Sequence, residues 1–279
     1  MSSSSLFFVL FGSILHLGWN ILTKKSRDQL AFLWMALLIP AAFGCYFILN
    51  NHYSIESHRY FLYTSLVHAI YFVTLANAYK FADLSFVYPY ARGVGTIVAT
   101  TGGILLLGDR PSVIGIWGIG LTLLGTLIEP LGKLKNKGKA KSLKGIAYTL
   151  LTGVMIGSYL VLDTKGIRTV ENSYEYVAIM FFYSSLMMAP MLLKGDRLKQ
   201  ELQHSRHLPF VGCAFMAGAY AIILLAMQTT EVSYTVSARA SGIILSGFYG
   251  KFVFKEVVGK LRISAIVLIL IGVVCLAYA

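Results

Sequence analysis

LSFVYPYARGVGTIVATTGGILLLGD (residues 84–109) and EVSYTVSARASGIILSGFYGKFVFKE (residues 231–256) are two copies of one pattern. Laid on each other, Ala91, Gly95, Ala99 and Gly103 fall on Ala238, Gly242, Ser246 and Gly250, Arg92 falls on Arg239, and Asp109 falls on Glu256. A small residue at every fourth position lets a helix backbone approach its neighbour closely. Chance readily gives one such strip; two strips with an arginine and an acid in the same register indicate duplication. A second match, of Leu10, Gly12, Thr23 and Lys24 with Leu151, Gly153, Thr164 and Lys165, extends the repeat to the start of each half.

Around these stretches the chain is apolar throughout. Of its 279 residues 57% are hydrophobic and 13% charged, about half the charged fraction that coats a soluble domain, so the solvent is lipid. A spanning helix needs roughly 17–25 largely apolar residues. The pattern predicts spans over 6–22, 30–49, 60–79, 85–107, 112–130, 145–163, 174–193, 208–227, 232–252 and 263–279. The fold class is an all-α membrane protein: ten transmembrane helices in two five-helix repeats, 1–130 and 145–279, joined by a basic loop over 131–144. Five spans is an odd number, so the second repeat enters the bilayer upside down, the arrangement of secondary transporters with a site between their halves. The run over 6–22 has no basic flank before it and reads as a retained first span rather than a signal peptide.

The net charge of +12 does not indicate nucleic acid, because the basic residues sit in short connections between apolar runs. Lys24, Lys25, Arg27, Lys80, the lysines of 133–144 and the lysines and arginines of 194–206 and 251–262 follow odd-numbered spans; Arg59, Arg110, Lys165 and Arg168 follow even-numbered ones. The positive-inside rule then puts the central loop in the cytoplasm and both termini outside. Cys45, Cys213 and Cys275 lie within apolar runs without metal-ligand spacing and read as packing residues.

Within the spans, polar residues mark the candidate site. Arg92 and Arg239 enter their helices from opposite faces, each about seven residues deep, roughly 10 Å of helical rise. A guanidinium there costs at least about 2.5–3.5 kcal/mol and needs a wet cavity or a partner. Two of them meeting at one midplane can grip a carboxylate or phosphate bidentately; the alternative is that each snorkels to an interface. Pro89, beside Tyr88 and Tyr90, predicts a broken ladder near Arg92. His16, Trp19 and Asn20 share one face of the first span, either lining a substrate path or making interhelical hydrogen bonds. His68 and Tyr71 form a similar pair, with Tyr88, Tyr159 and Tyr220 as aromatic walls. Glu129 and Asp163 are candidates for ion or proton coupling, and Glu231 opens span nine; all three are expected near an interface, where a solvated carboxylate is the plainer reading. Asp109 and Glu256 read as helix-end ties.

The duplicated unit, the Gly108-Asp109 and Lys255-Glu256 steps closing spans four and nine, and the glycine-aliphatic tails GIWGIGLTLLGTLI (115–128) and ISAIVLILIGVVCLAYA (263–279) resemble the drug/metabolite transporter superfamily, in its ten-span EamA-like branch. The resemblance implies a cavity lined from spans one, three, four, six, eight and nine, and cytoplasmic termini, opposite to the charge distribution. No GxxxxGK[ST], GxSxG or HExxH motif is present, so neither an ATPase nor an enzyme is expected, and no cofactor or metal. The expected activity is alternating-access transport of a small anionic or zwitterionic metabolite, an amino acid or organophosphate, in a bacterial inner (plasma) membrane. The partners are that substrate and the lipid bilayer, with no nucleic acid. Transport of organic cations through an aromatic cavity and a flippase activity are the alternatives.

Overall fold

A computed structural model describes residues 3–135, 142–193, 195–245 and 259–279, apart from the side chains of Ser3, Ser85 and residues 129–135. Among the described residues the chain is all helix. Its α-helices are α1 (Ser3–Lys25), α2 (Gln29–Asn50), α3 (Ile55–Phe81), α4 (Leu84–Gly102), α5 (Val113–Lys135), α6 (Leu143–Gly166), α7 (Ser173–Met188), α8 (Arg197–His204), α9 (Leu208–Thr229), α10 (Val232–Ala238) and α11 (Lys260–Ala277). A further helical stretch runs over 241–245. Seven of the described segments are long and apolar enough to cross a membrane.

Short polar residues start the long helices. The Asp28 side chain accepts from the Ala31 amide (3.1 Å), Ser54 from Ser57 (3.1 Å) and Ser142 from Gly145 (3.1 Å), each satisfying an amide the helix leaves unpaired. α4 ends in a π-turn over Gly103–Leu107, closed by Gly108 at φ 80°. That left-handed conformation falls to glycine, which has no Cβ to clash.

Each of the closest pairs joins a helix from residues 3–135 to one from residues 143–277. α1 runs antiparallel to α9, Ser5 reaching Thr229 at one end (3.2 Å). α2 runs antiparallel to α7, Trp34 Nε1 donating to the Ser185 carbonyl (2.9 Å). α3 runs antiparallel to α6, the Ser57 hydroxyl donating to the Thr169 carbonyl (2.9 Å). α5 lies antiparallel to α11 with backbones nearly touching: a Cβ on Gly125 would stand 2.8 Å from the Ala265 carbonyl oxygen. α4 and α6 run parallel, and a Cβ on Gly153 would stand 2.8 Å from the Ala91 carbonyl oxygen. Gly95 and Ala91 of the α4 strip therefore pack on α6, while Gly103 at its end faces Ser233 of α10, the helix that repeats it. In the second strip Gly242 faces Tyr88 and Ser13; Ser246, Gly250 and Glu256 lie outside the described residues.

Three expectations need correcting. Pro89, the sixth residue of α4, lies inside it without interrupting it, its missing amide removing one ladder bond. The interruption falls instead at Arg239, where α10 stops after seven residues. There the backbone tightens to three-residue steps, Ala240 to Ser237 (3.0 Å), Gly242 to Arg239 (3.2 Å) and Ile243 to Ala240 (2.9 Å). The connection before α9, read as a loop, holds α8, tied down by Arg197 to the Asp28 carboxylate (2.7 and 2.8 Å) and by the Asp28 amide to Glu201 (2.8 Å).

Candidate functional site

Two polar centres lie inside the bundle, joined by a wall of aromatic rings. The first is built on α1, α4 and the end of α10. Arg92 is 4% exposed and Arg239 1%, so neither snorkels to a surface. Arg92 stands 5.6 Å from the Tyr88 ring one turn earlier on α4, and the two guanidiniums lie within electrostatic range of each other and of His16. The break in α10 brings Arg239 here; Ser13 of α1 reaches its carbonyl at 3.5 Å.

These donors are short of acceptors. Arg92 Nε and Nη2, Arg239 Nε and Nη1, and the Tyr88 hydroxyl are buried without a hydrogen-bond partner, and among the described residues no carboxylate pairs with either arginine. On Arg92 the two unpaired nitrogens form the side-on fork that receives a carboxylate or phosphate edge. Beside them Asn20 Nδ2 reaches His16 Nδ1 (3.1 Å) and the His16 carbonyl (2.7 Å), and Tyr79 donates to Asn20 Oδ1 (2.6 Å). The expected His16–Trp19–Asn20 face does point inward, with Tyr79 as a partner that the sequence reading did not include.

The second centre is Asp163, 0% exposed, and its expected place at a solvated interface is overturned. α6 continues past it to Gly166, and α3, α7 and α9 close over it. Its Oδ1 accepts from Thr64 and from Tyr176 (2.9 Å), its Oδ2 from Tyr220, and His68 Nε2 stands 3.9 Å from Oδ2. Thr64 and Tyr176 were not foreseen. Thr64 carries a faint signal, one helical turn before His68; Tyr176, at the start of a span, reads as an interfacial anchor. The Glu129 side chain lies outside the described residues.

Between the centres His68 stacks on Tyr159 (4.0 Å between ring centroids), and Tyr71 (5.2 Å) and Tyr220 (5.9 Å) meet Tyr159 edge-on. With His16, Trp19, Phe181 and Met216 they enclose a cavity of about 20 Å³, room for a single water. One end of the bundle is clasped shut over it. Asp109 accepts from the Ser233 amide (2.9 Å) and hydroxyl, the Arg110 amide donates to Glu231 (3.1 Å), and the Ser112 amide to the Tyr234 hydroxyl (2.8 Å). At the other end a hollow of about 410 Å³ is lined by Lys24, Arg27, Asp28, Asn77, Tyr79, Lys80 and Arg197 among others. Tyr79 belongs to both the hollow and the first centre.

The bundle thus encloses a small aromatic chamber, with two buried arginines and a buried aspartate near it. Residues 143–278 match the EamA-like transporter family, and this part of the chain is an EamA-like transporter domain of the drug/metabolite transporter superfamily. Members of that family move small molecules across membranes, and seven of the described segments of this chain are long and apolar enough to cross one. Comparison with curated proteins returns no match. A crystal structure of a protein 16% identical to this chain superposes with a TM-score of 0.66, over 98% of this chain and 96% of that one, a likeness of fold alone.

Proposed function

We propose that the protein is a secondary transporter of ten spans in two inverted five-helix repeats, carrying a small anionic or zwitterionic metabolite of the amino acid or organophosphate class by alternating access. Arg92 and Arg239 hold the anionic group. The helix pairing supports the repeat. Exchanging α1 with α6, α2 with α7, α3 with α9, α4 with α10 and α5 with α11 maps the pairs α1–α9 and α3–α6 onto each other, and likewise α4–α6 and α10–α1. It maps α2–α7, α4–α10 and α5–α11 onto themselves, and all these pairs are in contact.

The observation that carries the substrate reading is the set of unpaired N–H groups on two buried guanidiniums. Leaving such charges dry and unpaired is among the costliest arrangements in a protein interior, and an anion entering between them relieves it. The cavity holds no metabolite as it stands, so this conformation is occluded. The clasp of 109–112 on 231–234 closes one gate, and the basic hollow at the opposite end is the approach that attracts anions. His16, Asn20, Trp19, Tyr71, Tyr88, Tyr159 and Tyr220 shape the chamber. The organic-cation alternative keeps the aromatic wall in its favour, but its counter-charge, Asp163, stands behind Tyr220 with both oxygens engaged.

A thermal-shift screen of the purified protein against amino acids, phosphate esters and organic cations tests the proposal, since a ligand of the folded state raises its melting point. Anions are expected to shift the wild type and to lose that effect in Arg92→Ala and Arg239→Ala. Equal shifts in the variants, or shifts by cations alone, refute it.

A further inference from the structure

His68 and Asp163 face each other in a way neither needs for packing. His68 Nδ1 stands 3.0 Å from the Thr64 carbonyl and 3.2 Å from the Thr64 hydroxyl oxygen, one turn back on α3, and that hydroxyl gives its own hydrogen to Asp163 Oδ1. A carbonyl only accepts, so Nδ1 carries a hydrogen and the neutral ring keeps its lone pair on Nε2. That lone pair is 3.9 Å from Asp163 Oδ2, so two acceptors look at each other with no hydrogen between them. Asp163 is fully buried, and no lysine or arginine bonds to it among the described residues; hydroxyls alone hold it, from α3, α7 and α9. One added proton satisfies both acceptors, whichever of the two it rests on.

The pair borders the chamber through two rings. The His68 and Tyr220 rings line it, and Tyr220 is the residue whose hydroxyl donates to Oδ2. A proton taken up at Oδ2 competes with that donation and frees the Tyr220 hydrogen to turn toward the cavity. The same proton adds a positive charge beside the cavity, which favours an anion and is favoured by it.

We infer that His68 Nε2 and Asp163 Oδ2 form the proton-coupling site of the carrier, one proton binding together with the anionic substrate and leaving with it on the other side. The inference rests on the transport reading above and names its coupling ion. The titratable groups around the pair are Tyr71 on α3, Tyr159 on α6, Tyr176 on α7 and Tyr220 on α9. Arg92 and Arg239 lie within electrostatic range of Tyr159, His16 lies across the chamber, and Glu175 is turned away to Asn51, Tyr53 and Asn172. None of them bonds to His68 Nε2.

Two measurements test this. In weakly buffered detergent solution, without ligand, the wild type is expected to take up a proton on acidification that Asp163→Asn fails to take up, with Asp163→Glu restoring it at a shifted pH; equal uptake by wild type and Asp163→Asn overturns the proposal. In proteoliposomes supplied with a radiolabelled amino acid mixture or labelled glycerol 3-phosphate, an acid exterior drives accumulation of up to about tenfold per pH unit for one co-bound proton. His68→Gln and Asp163→Asn are expected to abolish that drive, and accumulation at the wild-type level in Asp163→Asn again overturns it. If neither probe moves in the wild type, the substrate reading fails while the ligand-free titration still decides the proton site.

Discussion

Two glycines five residues apart on α5 give a matched test of how tightly this bundle is closed. A Cβ added at Gly125 would stand 2.8 Å from the Ala265 carbonyl oxygen, 2.8 Å from Ile269 Cγ1 and 3.1 Å from the Ile269 amide nitrogen; one added at Gly120 meets nothing within 4 Å. In both places alanine gains about 0.8–1.0 kcal/mol of helix propensity. At Gly125 the obstructing atoms are mainly backbone of α11, which cannot rotate aside, so α5 and α11 must separate. Overpacking of this kind costs about 1–3 kcal/mol. Gly120→Ala is therefore expected to melt slightly above the wild type and Gly125→Ala below Gly120→Ala by about 1–3 kcal/mol. At about 2–4 °C per kcal/mol for large domains, this is a separation of several degrees in detergent or nanodiscs. A Gly125→Ala protein that melts together with Gly120→Ala refutes the close α5–α11 contact and the reasoning built on it.

Three further outcomes follow from side chains already described. Burial alone would raise the Asp28 carboxyl, but hydrogen bonds and charge from Arg197, with the Ala31 and Leu30 amides, outweigh it and hold it below the usual range. Its stabilisation is thus present above the unfolded value and lost as pH falls through the lower folded one. Asp28→Asn should cost up to about 1 kcal/mol at neutral pH, since the pair is partly exposed, and melting curves should converge with wild type in strong acid. Removing the carboxylate in Asp109→Ala uncaps α10 and should cost about 0.5–2 kcal/mol; hydrogen exchange should rise over 108–112 and 231–235, less so in Asp109→Asn, and an unchanged pattern would count against the clasp. Tyr176→Phe deletes one donor to a buried carboxylate and should cost about 1.5–3 kcal/mol in thermal unfolding.

Hydropathy alone located the long helices, because a segment facing lipid must be apolar over its whole length and nothing else in the chain imitates that. Repetition in the sequence likewise singled out Arg92 and Arg239, and both are buried together. What the sequence hid depends on third parties. Asp163 looked interfacial because it closes a predicted span, whereas its burial comes from α3, α7 and α9, far away along the chain. The interruption at Arg239 has no proline, and Gly242 in the tightened stretch reads in the sequence as part of a small-residue strip rather than as a break; Pro89, which does warn, lies inside α4 without ending it. The small residues of α4 announce a close neighbour without saying which; the neighbour is α6 along most of the strip and α10 at Gly103. α8 is too short and too polar for a span-length window to register.

All seven residues of α10 are buried, and the next one is an arginine. A segment without any side fit for lipid has no stable place to wait during biogenesis. Its shelter consists of α1, α4, α5, α6 and α9, which precede it along the chain, and of α11, which follows it, so synthesis builds most of the socket before the plug. Truncations ending anywhere short of residue 232 should then leave a wet cleft that quality-control proteases recognise, however apolar the remaining helices are.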